Sequence, residues 1–301
     1  MRVAAIDVGT NTALLTIADL DGTAAVAVEE RAEIVRLGEG LDRTHRLAAP
    51  AIARTLGVLH GFAERIEALA CDRVIAVATE AVRKAINGGD FTSGADAILG
   101  RFATELQVID GEREARLCWR AVAMSFPALE GPRTVVDIGG GSTELIVGTS
   151  EVEAVVSLPI GSVRLTERLL GSDPPSADER ARLWAAVDEA LAGAPAPRGT
   201  LVGLAGTVTT LSAMAQSLVT YDGARVHGSR LSRATVDELV ERLGTTPLAD
   251  KLRTPGLDPK RADVIYAGAV ILARVMARAG AAECLVSDRG IRWGLLYEAA
   301  A

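Results

Sequence analysis

Three short stretches of small and hydroxylated residues are the places where this sequence can do chemistry. Gly9, Thr10, Asn11 and Thr12 follow a strand-like run that reaches Asp7, and Gly139, Gly140, Gly141, Ser142 and Thr143 follow a second run that reaches Asp137. A third stretch, GLAGTVTT from Gly203 to Thr210, passes from a strand pattern into a helix pattern around Gly206 and Thr207. Loops of this composition gather successive backbone N–H groups into a concavity that receives phosphate oxygens, and glycine lets the backbone approach closely. At the third stretch the start of a helix adds its own attraction for an anion. A tight turn would look similar in any one case, so the weight lies in finding three, two of them alike. Acidic neighbours decide whether a phosphate is merely held or is attacked. Asp137 ends a strand facing the second loop and Glu144 opens the next strand, which places both to hold Mg²⁺ directly or through water. The bland alternative for Glu144 is a solvated edge-strand carboxylate. Phosphoryl transfer needs mostly positioning and charge neutralisation, with a carboxylate orienting the nucleophile.

The elements that carry these loops are legible as patterns. Apolar runs at Val3–Asp7, Leu14–Ala18 and Ala24–Val28, with Asp21-Gly22-Thr23 between the last two, predict an antiparallel meander. Helical spacing of Ile52, Leu56, Leu59, Phe62, Ile66 and Leu69 is followed at once by the buried-strand run Val74–Val77. Further helices are predicted at 81–86, 94–106 and 112–124, with a strand at 107–109. Breakers at Phe126-Pro127 and Gly131-Pro132 place a domain boundary after residue 125, giving domains 1–125 and 126–301. The second domain opens as the first did: IDVGTNTALLTI at 6–17 aligns with VDIGGGSTELIV at 136–147 at a constant offset of 130 residues, the pattern of an internal duplication. Later come a breaker-rich loop at 193–199, a strand at 201–205, and a buried helix at 264–279 with Asp258-Pro259 as its cap and first turn.

Composition removes whole classes. A chain of 301 residues has room for two domains with real cores. No segment reaches the ~18 apolar residues of a membrane span, and the N-terminus lacks a leader pattern, so a cytoplasmic protein is expected. Cys71, Cys118 and Cys284 are widely spaced and match neither a disulfide framework nor a zinc pattern. With 32 basic against 39 acidic residues the net charge is −7 and aromatics are 3%, which argues against nucleic-acid binding, so an anionic ligand must be held by local groups. Arg225 and Arg230 flank His227 in the polar loop YDGARVHGSRLS, which reads either as a contact for a long polyanion or as an ordinary polar loop.

Six segments taken together, AIDVGTNTALL, ATEAVRKAINGGDF, GEREARL, VVDIGGGSTELIVG, GLAGTVTTL and SDRGIRWGLLYE, resemble in order the exopolyphosphatase / guanosine pentaphosphate phosphohydrolase family, of the actin and sugar-kinase fold superfamily. The resemblance implies an α/β protein of two actin-like (ribonuclease H-like) domains, each a five-stranded mixed sheet flanked by helices, with the active site in the cleft between them. It looks like the short form of the family, without further helical domains. By the same resemblance Glu114 positions the attacking water, Asp137 and Glu144 are metal-site acids, and Arg83 contacts phosphate. The phosphate loops fall on Gly9 to Thr12, Gly139 to Thr143, and Gly206 with Thr207. Arg113 departs from the family, which has a glutamate there. The implied reaction is Mg²⁺-dependent hydrolysis of terminal phosphate from inorganic polyphosphate, with guanosine pentaphosphate as the alternative substrate. A non-catalytic polyphosphate or alarmone-binding regulator and a kinase-like phosphotransferase stay open. Neither nucleic acid nor membrane is an expected partner, and the assembly considered is a homodimer.

Overall fold

The structure, a computed structural model, describes residues 1–300. Its contacts divide the chain into two compact units: Met1–Met124 together with the chain from Ile291 on, and Ser125–Gly290. The boundary after residue 125 therefore sits beside the observed division, but the C-terminal helix, expected in the second domain, belongs to the first unit.

Among the described residues the first unit has a five-stranded sheet of β1 (Arg2–Val8), β2 (Thr12–Asp21), β3 (Ala24–Ile34), β4 (Arg73–Ala78) and β5 (Leu106–Val108), in the order β3-β2-β1-β4-β5. The meander β1–β2–β3 is antiparallel, whereas β4 and β5 join parallel to β1 through helical crossovers. The helix Ala49–Ala68 buries Leu59, Phe62 and Ile66 against this sheet's core of Ile6, Leu15 and Ile17. The short helix Glu80–Lys84 and the helix Gly88–Leu99 follow β4, and Gly111–Ser125 follows β5. The helix expected over 94–106 ends at Leu99, and a 3-10 turn at Gly100–Phe102 leads to β5.

The second unit has, among the described residues, six strands rather than the five expected: β6 (Arg133–Ile138), β7 (Thr143–Gly148), β8 (Val152–Leu158), β9 (Thr200–Leu204), β10 (Arg230–Ser232) and β11 (Glu283–Val286), in the order β10-β11-β9-β6-β7-β8. The sixth is β10, three residues paired antiparallel on the edge of β11, too short to carry a pattern. Without it, β8-β7-β6-β9-β11 repeats the first sheet strand for strand. The repeat extends to single residues: Asp7 pairs with Leu14 and Asp137 with Glu144, and the register shifts at Ile17/Ala18 on β2 and at Val147/Gly148 on β7. A one-residue slip would turn every side chain to the opposite face, so register shared to this degree marks a duplicated unit.

The helix Ala205–Ala215 follows β9 without a linking loop, and Ala205 enters it with φ of 64°. Asp258-Pro259 does not start the long buried helix. Asp258 caps a separate 3-10 turn, Pro259–Arg261, by accepting the Lys260 N–H at 2.8 Å, and the helix runs over Ile265–Ala279. Among the described residues no helix is long and apolar enough to cross a membrane.

Candidate active site

Each unit presents one hairpin loop at the end of its central strand, closed in the same way. The Gly9 N–H donates to the Thr12 carbonyl at 3.0 Å, and the Gly139 N–H donates to the Ser142 carbonyl at 3.0 Å. In the second unit the start of the helix Ser162–Leu169 draws the loop carbonyls to one side. Gly139 O accepts from Ser162 N–H at 3.0 Å, and Gly140 O from Val163 and Arg164 N–H at 2.9 and 3.1 Å. Gly141 O accepts from the Arg164 guanidinium at 2.6 Å. In a planar trans peptide the N–H points opposite to the preceding C=O. The N–H groups of Gly140, Gly141 and Ser142 are therefore turned together to the other side, which is the geometry of an anion-binding nest. A Cβ on Gly161 would fall inside the Gly140–Gly141 backbone, so glycine is required there for this packing.

The first unit repeats the device on a smaller scale. Thr10 O accepts from Gly38 N–H at 2.9 Å, and Asn11 O from Val35 and Arg36 N–H at 2.9 and 3.0 Å, which turns the Asn11 and Thr12 N–H groups outward. The Asn11 side chain is buried and its Nδ2 finds no hydrogen-bond partner among the described residues. A buried donor left unsatisfied costs about 1–3 kcal/mol, so this amide is a group an anion would relieve.

Asp137 and Glu144 stand directly opposite each other on β6 and β7. Opposed residues of an antiparallel pair have Cβ atoms about 4.5–5.5 Å apart, and like charges there repel unless a cation lies with them. Glu144 is buried and accepts the Ser157 hydroxyl at 2.7 Å. Among the described residues no cluster of three or more His, Cys, Asp or Glu could hold a metal ion. The pair suits Mg²⁺, which is commonly bound by one or two carboxylates with substrate phosphates and water completing its shell.

Glu114 and Arg83, which only the resemblance singled out, are brought together in the first unit. Glu114 is buried in the first turn of the helix Gly111–Ser125, where the helix dipole favours a negative charge. Arg83 Nη1 donates to its carboxylate at 2.7 Å and also to the Ile109 carbonyl. The Thr143 hydroxyl is buried and donates to Ile160 O at 2.6 Å, which leaves its backbone N–H to face an anion, and the Thr207 side chain packs on Gly268.

Two cations escaped the sequence reading. Arg164 lies buried beneath the glycine loop. The Arg261 guanidinium lies where a Cβ on Gly206 would be, at the start of the helix Ala205–Ala215, and burial pulls its pKa down while the nearby Asp258 pushes it up. DPKRAD and GSVRLTERL contain these arginines without any spacing that ties them to a glycine loop more than 20 or 50 residues away. Elsewhere on the surface Arg113 pairs with Glu298, Arg116 with Glu112 and Arg230 with Glu283.

A duplicated strand-loop-strand frame with a backbone nest and a pair of opposed carboxylates defines a phosphate-handling α/β protein of the actin-like fold. The pattern of the Ppx/GppA phosphatase family matches residues 16–301, and the chain belongs to that family of enzymes. It is 41% identical over 309 aligned residues to Exopolyphosphatase 2 of Mycobacterium tuberculosis, covering 98% of this chain and 97% of that protein. The crystal structure of the Aquifex aeolicus Ppx/GppA family member is 36% identical with a TM-score of 0.84, covering 99% of this chain and 97% of that one. An exopolyphosphatase from Cytophaga hutchinsonii is 28% identical with a TM-score of 0.89, covering 100% and 98%.

Proposed function

We propose that the protein is an exopolyphosphatase: water attacks the terminal phosphorus of inorganic polyphosphate, the bond to the bridging oxygen breaks, and orthophosphate leaves a chain one unit shorter. The observation that carries this reading is the opposed pair Asp137 and Glu144 at the foot of the Gly139–Ser142 nest. Glu114 orients the water and takes up its proton, and Arg83, already bonded to that carboxylate, steadies it and can turn a donor to a phosphate oxygen. The nest, the Asn11 amide and the N–H groups at Gly206 and Thr207 bind phosphate oxygens, with Arg164 and Arg261 adding positive charge from below. Asp137 and Glu144 would hold Mg²⁺, which when bound offsets charge on the phosphate oxygens. The names of the relatives from Mycobacterium tuberculosis and Cytophaga hutchinsonii support polyphosphate as the substrate.

Guanosine pentaphosphate is the second reading. A nucleotide needs a face for its base, and the exposed ring of Tyr221, close enough to Arg261 to influence its charge, is the observation that favours it. Phosphate release from the two substrates in parallel separates the readings. Faster release from polyphosphate is expected. Glu114→Gln should lower kcat by about 10²-fold or more while leaving substrate binding intact. Faster release from guanosine pentaphosphate would install the second reading, and release from neither would point to a binding regulator.

A further inference from the structure

The helix that carries Glu114 starts in an unusual way. Asp110 caps it: its Oδ1 accepts the Arg113 N–H at 2.8 Å and its carbonyl accepts the Glu114 N–H at 3.0 Å. The unpaired N–H groups of a first turn favour acids and disfavour cations, yet Arg113 stands there. Glu298 is the converse. It lies in the last turn of the closing helix Ile291–Ala299, where exposed carbonyls favour cations. Each residue is misplaced on its own helix, and the two cancel the misfit by gripping one another: Arg113 Nη1 meets Glu298 Oε1 at 3.0 Å while Nη2 meets Oε2, a two-pronged pair. The bond from Arg113 is the main cause that lowers the Glu298 pKa, with Arg120 and Arg73 acting in the same direction, and Glu298 in turn raises that of Arg113.

The rest of the closing helix is fastened to the first sheet. Arg292 donates to Leu15 O on β2 at 3.2 Å, and the Trp293 indole donates to Glu30 on β3 at 3.1 Å. Gly294 lies against the backbone of Leu117, one turn beyond Glu114, where any Cβ would clash. The closing helix thus ties the sheet to the first turn of the Glu114 helix, and the Arg113–Glu298 pair is the last link of that tie.

We infer that Arg113 and Glu298 form a clamp that positions Glu114, holding the first turn so that the Glu114 carboxylate stays on Arg83 and aimed at its water. Both are positioning residues, acting through Glu114. The inference rests on the reading of Glu114 as the water-orienting group. Its test uses the full chain with Arg113→Gln, Glu298→Gln, the exchange Arg113→Glu with Glu298→Arg, and Glu114→Gln alongside, measuring kcat, KM and Tm for each. Misplacement of a catalytic group lowers turnover without weakening substrate contacts, so each single variant should lose about tenfold in kcat with KM changed less than about twofold. The exchange puts each charge at the helix end that favours it, so it should fold at least as well and restore kcat. A pair that serves stability alone would lower Tm and leave kcat at the wild-type value well below Tm. That outcome, or an exchange variant that melts normally yet stays slow, would overturn the clamp. Wild-type turnover by Glu114→Gln would instead remove the reading on which the clamp rests, whereas a slow Glu114→Gln beside normal single variants would remove the clamp alone.

Discussion

Asp137 and Glu144 carry one sign of charge at directly opposed positions of β6 and β7, and in the first unit the same position pair is Asp7 and Leu14. The duplicated frame therefore builds two acids into one unit and one into the other, which is why the proposed reading puts the cation in the second. Like charges opposed across a ladder cost roughly 0.2–1 kcal/mol. Removing one should raise stability when no divalent ion is present, yet weaken the hold on the ion. Glu144→Gln is expected to melt slightly higher than wild type in chelator, to gain less from added Mg²⁺, and to need more Mg²⁺ for half-maximal activity. Melting curves with and without the ion, beside an activity titration, check both signs, and full wild-type activity in excess chelator would dismiss the assignment.

At the scale of elements, the loops depend on what braces them from behind. Gly161 is the clearest case, since a methyl group there must displace the Gly140 and Gly141 peptides. Gly161→Ala should destabilise the second unit by about 2 kcal/mol, the cost of forcing extra volume into a packed site, and should impair activity more than stability because the nest itself moves. Chemical denaturation and phosphate release on the same variant check this. A second element-level prediction concerns Glu29 on β3, whose pKa is held down to about 2 by hydrogen bonds from Arg65 and then Arg31. A folded-state pKa below the unfolded value of roughly 4.3 contributes stability above that value, which is lost as pH falls towards 2. The pair is partly exposed, so the contribution is about 1 kcal/mol. Glu29→Gln should thus be destabilised relative to wild type at pH 7, with the gap closing between pH 5 and 2 in denaturant melts.

These braces also explain what could be read from the sequence and what could not. The Asp7 and Asp137 hairpins were legible because strand, loop and strand are contiguous, and their alternation and glycine content set register and turn locally. Composition does not say which way the Thr143 hydroxyl turns, and here it turns inward to Ile160. Arg164 and Arg261 reach their glycine loops from distant segments, and β10 is a three-residue edge strand whose pairing with β11 alone defines it. The closing helix reads as one more apolar segment, and its place in the first unit rests on contacts such as Arg292 to Leu15, 277 residues apart. Tertiary pairing at that separation leaves no local trace.

For the molecule as a whole, an excess of seven negative charges must be reconciled with the polyanionic substrate proposed above. Arg113, Arg116 and Arg230 each face a carboxylate, whereas Arg225, exposed in its loop, gives only its backbone N–H to the capping carboxylate of Asp222. Such pairs are worth little as ion pairs but leave little positive potential for a passing chain. On the proposed reading the cations nearest the bound phosphates are Arg164 and Arg261, behind the glycine loops, and these hold the last few phosphates of the chain. An enzyme that grips the end of its substrate should be indifferent to the length beyond. Added salt screens each exposed contact, so the steepness of its effect on KM counts the contacts made. The expected result is that KM rises with salt at the same slope for long polyphosphate and for a short chain of a few units. Replacing Arg225 and Arg230 together by Gln should leave both slopes unchanged. A steeper slope for the long chain, relieved by that double replacement, would mean that the polyanion runs along the 221–232 loop despite the carboxylates there.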